Sequence, residues 1–230
     1  MKMKTWILLL VAMGAFAVPA HAQRQFLCGF TGFDYAEPGV PGGATTPTPF
    51  LGVGDGYRAV GFITSFSPMF NGTLTAGAEH TFYLYGATAQ NVVFSNNVLE
   101  VDFGPHARFS IYEDPANNAT YDTNPPNAFS PGTFSDGTLL LSADVNNLVL
   151  VYDYNANQGG FEGMATLDSG ADLYLIPALQ RGGWAMSGIA GQPNATVPTG
   201  YVDQLNGQIQ IPVIVPTAHK TWGALKALYR

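Results

Sequence analysis

The 230-residue chain has few charged side chains, and their distribution excludes several kinds of function. Charged residues make up only 11% of the sequence. All 16 acidic residues lie between Asp34 and Asp203, and that stretch contains three arginines and no lysine. A surface this acidic repels phosphate groups, which argues against a nucleic-acid partner. Without a lysine, the stretch also lacks a phosphate-binding loop and Schiff-base chemistry.

Disulfides and helical periodicity are also missing. Cys28 is the only cysteine, so no internal disulfide forms, and we interpret it as a lone thiol near a loose terminus. Between residues 57 and 211, no window keeps the 3.6-residue period of an amphipathic helix. That region contains short runs of β-branched and aromatic residues, each bounded by Gly, Asn, Asp or Pro. The sequence therefore predicts an all-β, antiparallel body.

The first residues have the pattern of an export signal. Lys2 and Lys4 precede an apolar run over 6–18, and the stretch 20–22 places alanines where a signal peptidase cleaves. We predict a signal peptide over 1–22 and a bacterial protein that is secreted, periplasmic or held at the cell surface. No later segment approaches the about 20 apolar residues of a spanning helix, so we expect no transmembrane segment in the mature chain.

Composition divides the mature chain into three parts. Residues 23–56 are rich in Gly, Pro and Thr, and we predict an irregular lead-in segment over the domain surface. Residues 57–211 are predicted to form an antiparallel β-sandwich, jelly-roll-like or similar, because a sheet with one apolar face needs a second layer. Residues 212–230 are predicted to be a Pro-containing linker and a basic amphipathic tail with a short C-terminal helix. A closed outer-membrane barrel is the structural alternative.

The body contains two candidate hairpins that can be placed in register. Turns at 104–106 and at 146–147 would each make the apolar residues of two flanking strands face one another. A third strand, beginning at about residue 160, would extend the same apolar face into a meander. In that register Asp153 stands opposite Glu162.

Four residues around the third strand are candidate metal ligands. Asp153, Asn155 and Asn157 place oxygen atoms at alternate positions, as at the start of a calcium loop, and Glu162 follows. The glycine and glutamate that complete an EF-hand loop are missing. Two carboxylates facing each other are destabilising unless a cation lies between them. Calcium is therefore the one cofactor that the sequence suggests, and a turn with solvated carboxylates is the alternative.

The C-terminal residues 219–230 differ from the acidic body. They contain no acid and three permanently positive side chains, and their apolar residues would share one side of a short helix. One interpretation is a helix that packs on the body. The other is a recognition tail that docks on an export machine, a cell-surface component or another subunit. The candidate recognition residues are Trp222, Leu225, Lys226, Tyr229 and Arg230.

No catalytic residue can be assigned from the sequence. A Gly-x-Ser-x-Gly elbow is missing, and only Glu100 and Asp102 have a spacing near that of paired glycosidase carboxylates. We predict an exported non-catalytic protein that acts in extracellular or cell-surface binding or structure, with a glycan or cell-surface component as its partner. A secreted polysaccharide hydrolase is the main alternative, and acids converging in a cleft would favour it. A small outer-membrane barrel is the third.

Overall fold

The computed structural model describes residues 25–36, 51–121, 132–191 and 196–211. The strands are β1 (Gln25–Ala36), β2 (Gly56–Phe66), β3 (Glu79–Ser95), β4 (Val98–Phe103), β5 (Ala107–Asp114), β6 (Thr138–Asp153), β7 (Gln158–Ser169), β8 (Trp184–Gly191) and β9 (Gln204–Ile211). A single-turn helix, α1, spans Gly132–Ser135, and 3-10 turns span Pro68–Phe70, Leu173–Leu175 and Ala178–Gln180. Within these ranges, no helix is long and apolar enough to cross a membrane.

All the strands belong to one antiparallel sheet that closes into a barrel. Apart from β4 and β5, strands that follow one another along the chain are neighbours in the sheet, and β1 pairs with β9 to complete the circle. β4 and β5 lie one after the other between β3 and β6, so the nine segments occupy eight strand positions. The prediction of an all-β antiparallel fold is confirmed, and the predicted sandwich is wrong.

Closure of the sheet covers the apolar face without a second layer. In β7, Phe161, Ala165 and Leu167 are buried, whereas Glu162 and Asp168 are exposed. Along β7, the large apolar side chains therefore point into the barrel and the acidic ones point out. Elsewhere the outer face also carries a second cluster of apolar side chains, which includes Tyr35, Val60 and Tyr83. Because a closed sheet curves round on itself, its inner face packs against its own far side. The apolar face was predicted correctly from the sequence, but it packs against the opposite wall of the barrel and not against a second sheet.

Phenylalanine side chains fill the middle of the barrel. The ring centroids of Phe30, Phe82 and Phe109 lie 5.0 or 5.1 Å from one another, and Phe161 lies 6.0 Å from Phe30. Gly207 makes room for them, because a Cβ at that position would lie 2.5 Å from Cζ of Phe30. Eight-stranded barrels are wide enough to be filled by side chains or to hold one small ligand. Here, the phenylalanines close the middle.

Neither predicted hairpin turn reverses the chain. β4 and β5 run in the same direction on either side of 104–106, since both pair antiparallel to β3. β6 continues through 146–147, where its register against β7 changes at a bulge. The predicted third strand exists as β7, but Glu162 pairs with Val149 and not with Asp153.

Part of the predicted irregular lead-in is a long strand. β1 pairs with β2 along one edge and with β9 along the other. Cys28 lies within β1 and is completely buried, so it is not a thiol at a loose terminus. Burial raises the pKa of this thiol to about 12, which keeps it protonated and unreactive. The predicted signal peptide over 1–22 and the predicted linker and tail over 212–230 lie outside the described residues.

Candidate functional site

A pocket lies at the end of the barrel where β1 and β6 finish and where β2 and β4 begin. Its free volume is about 30 Å³, and we call it the mouth pocket. Its polar and aromatic walls include Asp34, Asp203, Tyr57, Tyr152 and Tyr154. In the described part of the chain, no lysine, arginine or histidine lines it. The pocket therefore brings two carboxyl groups together without a basic residue to balance them.

Strand alternation explains why Asp34 faces the pocket. Phe30 and Asp34 are separated by an even number of positions along β1, so both point into the barrel, whereas Tyr35 packs in a cluster on the outer face. Asp203 is brought beside Asp34 by the segment that leads into β9. The Asp34 N–H donates to the carbonyl of Asp203 at 3.0 Å, and the Val202 N–H donates to the carbonyl of Asp34 at 2.9 Å.

The carboxyl group of Asp34 is held by two donors deep in the wall. The residue is only 3% exposed. Its Oδ1 accepts a hydrogen bond from the backbone N–H of Asp203 at 2.6 Å, and its Oδ2 accepts one from the Tyr57 hydroxyl at 3.0 Å. Burial, together with the nearby negative charge of Asp203, raises the pKa of Asp34 to about 8 despite these donors. At neutral pH the group is therefore mostly protonated.

Asp203 lies in a different environment from Asp34. It is only partly buried, and burial raises the pKa of its carboxyl while the Tyr152 hydroxyl offsets part of that effect. The same hydroxyl donates to Oδ1 of Asn157 at 3.0 Å. The pocket thus contains two acids of unequal burial. Such a pair can accept a cation, and it can also exchange a proton with a bound molecule.

An apolar cavity adjoins the mouth pocket on the inner side. It is lined by aromatic and aliphatic side chains, including Phe103, Leu148 and Met186, and its free volume is only about 10 Å³. Tyr57 and Leu150 line both spaces. The floor of the mouth pocket is therefore apolar and closely packed.

Three of the predicted calcium ligands lie in the turn between β6 and β7. Oδ1 of Asp153 accepts the N–H of Asn155 at 2.8 Å, which closes the turn locally. Oδ1 of Asn155 accepts a hydrogen bond from the side chain of Asn97 at 2.9 Å. Oδ1 of Asn157 accepts the hydrogen bond from the Tyr152 hydroxyl described above. These oxygens serve as hydrogen-bond acceptors, for the turn itself, for Asn97 between β3 and β4, and for Tyr152 of β6.

The fourth predicted ligand, Glu162, is separated from the turn. Asp153 pairs with Gln158, and Glu162 lies four residues farther along β7, roughly 13 Å away at the rise of a strand. Its side chain is exposed on the outer face. Across the described residues, no group of three or more His, Cys, Asp or Glu side chains could hold a metal ion. Calcium binding stays a prediction.

The other sequence candidates lie away from the mouth pocket. Glu100 is exposed on the outer face, and Asp102 accepts a hydrogen bond from Asn91 at 2.9 Å. Arg108, which follows the predicted turn at 104–106, forms an ion pair with Asp168. The five candidate recognition residues of the tail lie outside the described residues.

The mouth pocket was not predicted from the sequence. Asp34 falls in the segment that we expected to be irregular, and Asp203 falls in a proline- and glycine-bounded stretch before the last strand. No local signal marked Asp34, because alternation would place its neighbours Phe33 and Tyr35 inside the barrel and Asp34 outside. The structure has the reverse arrangement, with the two aromatic residues in the outer cluster.

Comparison with known proteins adds no functional assignment. No protein-family model, no curated protein and no solved structure matches this chain. The functional conclusion therefore depends on the chemistry and geometry of the mouth pocket.

Proposed function

We propose that this is an exported, non-catalytic binding protein whose ligand site is the mouth pocket. The observation that carries the proposal is a concave site in which two acids and three tyrosines converge over an apolar cavity. Small-molecule sites are typically concave, mostly apolar and supplied with a few polar groups that orient the ligand. Its free volume of about 30 Å³ is small, so we expect a ligand to enter it with one group of a larger glycan or cell-surface component.

A secreted hydrolase is the second candidate, because acids do converge in a cleft. A protonated Asp34 beside the more accessible Asp203 resembles the unequal carboxyl pairs that act as general acid and base. We favour binding because each oxygen of Asp34 already accepts a hydrogen bond within the protein. A general acid must direct its proton at the substrate, and this carboxyl group is committed to internal partners.

We do not propose the outer-membrane barrel. Barrels of that class have an outward apolar band and a polar interior. The interior of this barrel is apolar, with Phe30, Phe82 and Phe109 packed at its centre. Its outer face is mixed, since β7 carries acids there whereas β1 and β2 carry Phe33 and Phe62.

Blocking the pocket tests the proposal. Ala36 lines the mouth at the end of β1, and Ala36→Trp should fill the space with less disturbance than a change in the core. Val151→Trp is the matched control, because Val151 is exposed on the outer face of β6. Ligands from a glycan array and a small-molecule thermal-shift screen should bind the wild type and Val151→Trp, and Ala36→Trp should lose them.

The outcome separates the two candidate functions. Equal binding by folded Ala36→Trp would place the ligand elsewhere and contradict the proposal. If a bound glycan is cleaved by the wild type, and Asp34→Asn abolishes the cleavage, the hydrolase is correct.

A further inference from the structure

We infer that a groove on the outside of the barrel rim holds one sugar unit of an uncharged glycan. The groove lies where β7 begins, β8 ends and β9 begins, and we call it the rim groove. Its principal lining residues are Asn157, Gln158, Ile189, Gly191, Gln204 and Asn206. The inference rests on the proposed function and narrows its partner to one class of glycan. It concerns recognition and requires no chemical step.

The pairing of three strands explains the shape of the rim groove. Gly191 of β8 pairs with Gln158 of β7 on one side and with Gln204 of β9 on the other. Paired residues point to the same face of a sheet. Neighbouring strands lie about 4.8 Å apart, so the backbones of the two glutamines are separated by roughly 10 Å. The glycine between them has no side chain, and the space that it leaves forms the groove.

The rim groove has room for a ligand unit that the mouth pocket cannot hold. Its free volume is about 300 Å³, against about 30 Å³ in the mouth pocket. The two spaces adjoin, because Asp203 lines the mouth and the next residue, Gln204, lines the groove. The hydroxyl of Tyr152 in the mouth also donates to Oδ1 of Asn157 in the groove at 3.0 Å. A glycan that enters the mouth with one group can therefore place its neighbouring unit in the groove.

The side chains of the groove match the two kinds of surface on a sugar ring. An amide offers both donors and an acceptor, as a hydroxyl group requires. In the described part of the chain, the side chains of Gln158 and Gln204 make no hydrogen bond, so both amides are available to a ligand. Oδ1 of Asn206 accepts the Thr31 hydroxyl at 2.7 Å, which leaves its NH₂ group to donate. Ile189 is 51% exposed and offers an apolar surface to the C–H groups of the ring.

The charge of the groove and of the body favours an uncharged glycan. Among the described residues, no acidic or basic side chain lines the groove, so nothing there pairs with an ionic group. The acidic body repels glycans built from uronic acids or sulfated sugars. A peptide could use the same amides, but peptide recognition also needs pockets for side chains. Only Ile189 offers a large apolar side chain here.

Hexasaccharides with and without charge test the ligand class. Maltohexaose, cellohexaose and N-acetylchitohexaose are uncharged, and hexagalacturonic acid is the anionic probe. In calorimetric titration of the full chain at pH 7, at least one uncharged probe should bind. Hexagalacturonic acid should bind about tenfold more weakly or not at all. Binding of no uncharged probe would reject the ligand class, and equal binding of the anionic probe would reject selection by charge.

Filling the groove tests its position. Gly191 has no positive φ, and a Cβ there would lie no closer than 3.5 Å to its neighbours, so Gly191→Ile should fold. Its side chain would occupy the space between the glutamines and weaken binding of the uncharged probe about tenfold or more. Ser187→Ile is the matched control, because Ser187 lies on the same face of β8 outside the groove. Thermal unfolding confirms that each variant is folded.

Alanine variants test the two amides. Gln158→Ala and Gln204→Ala should each weaken binding about three- to tenfold, as expected for the loss of one hydrogen bond. Gln208→Ala is the matched control, since Gln208 is exposed on the same face of β9 but does not line the groove. An equal loss in Gln208→Ala would indicate general adsorption to the surface and contradict the inference. Displacement of the glycan by an equal concentration of an uncharged Gly-Ser decapeptide would show that the groove takes a peptide.

Comparison with the mouth variant separates this inference from the proposed function. Loss of binding in Ala36→Trp together with unchanged binding in Gly191→Ile would leave the mouth as the site and reject the rim groove. Loss in Gly191→Ile together with unchanged binding in Ala36→Trp would support the rim groove and reject the mouth. We expect both variants to lose affinity, because one glycan contacts both spaces.

Discussion

Each end of the barrel contains a buried carboxyl group, and the pKa values of the two groups are shifted in opposite directions. At the mouth, Asp34 has two donors, but burial and its acidic neighbour raise its pKa to about 8. At the other end, Glu113 is also buried, with 8% exposure. It accepts hydrogen bonds from the N–H and the hydroxyl of Thr75, each at 2.7 Å, and contacts the His80 ring at 3.0 Å.

The comparison shows that burial alone does not decide the charge of an acid. Burial by itself would raise the pKa of Glu113, but Thr75 and His80 outweigh it and hold that pKa below its usual value. The Glu113 end is satisfied by the protein's own donors. At the Asp34 end, no basic side chain lines the pocket among the described residues, and the carboxyl group keeps a proton instead. The first arrangement serves stability, and the second is suited to binding.

The largest predicted difference between the two ends is the pH dependence of stability. Folded Asp34 retains a proton that the unfolded chain releases. As the pH rises from about 4 to about 8, the free energy of unfolding should therefore fall by about 1.4 kcal/mol per pH unit. Asp34→Asn should remove this slope, as measured by urea unfolding across that range. Glu162→Gln should retain it. A wild-type slope that survives in Asp34→Asn would show that another group holds the proton.

The second prediction concerns Glu113 at the opposite end of the barrel. The expected effect on the free energy of unfolding is smaller there, and stability is lost as the pH falls and not as it rises. Glu113→Gln weakens hydrogen bonds to a charged acceptor, so the free energy of unfolding should fall by roughly 1–3 kcal/mol at pH 7. The stability that ionised Glu113 contributes is lost as pH falls through its folded pKa. Urea unfolding of the wild type and of Glu113→Gln at pH 7 and at about pH 3 compares the effect of the variant at high and low ionisation of Glu113. An equal loss at both pH values would mean that shape, and not charge, is responsible.

The smallest predicted effect concerns the coupling between the two mouth acids. Asp203→Asn removes the negative charge that helps to raise the pKa of Asp34, so that pKa should move down toward its usual value. Tyr57→Phe removes a donor to Asp34 and should move the pKa the other way. Carboxyl ¹³C NMR titration follows both. If the pKa stays in place in Asp203→Asn, burial alone sets it.

Two Asn-Asn pairs show how much of the fold could be predicted from the sequence. Asn96 and Asn97 have φ of 53° and 62° and form the two-residue turn between β3 and β4. At the second pair, Asn147 has φ of 53°, but the strand continues through a bulge. A bulge and a two-residue turn both leave the flanking Val145 and Leu148 on one face. Periodicity therefore predicted the apolar face correctly but could not distinguish the two structures.

The mouth pocket could not be predicted for a different reason. Asp34 and Asp203 are 169 positions apart in the chain and meet only because the sheet closes. Local patterns show which positions point inward, but they do not show which distant strands become neighbours. The strands and the inner face follow from local alternation, whereas the site follows from the pairing of β1 with β9.

The pairing of β1 with β9 also determines the order in which the barrel can fold. Gln25 at the start of β1 pairs with Ile211 at the end of β9, so the outer edge of β1 has no partner until the last strand has been synthesised. Contacts this distant in sequence form slowly, and an unpaired strand edge invites association with other chains. Asp34 and Asp203 come from the two segments that meet in this final step. A nascent or truncated chain without β9 therefore has no mouth pocket, and ligand binding would report that folding has finished.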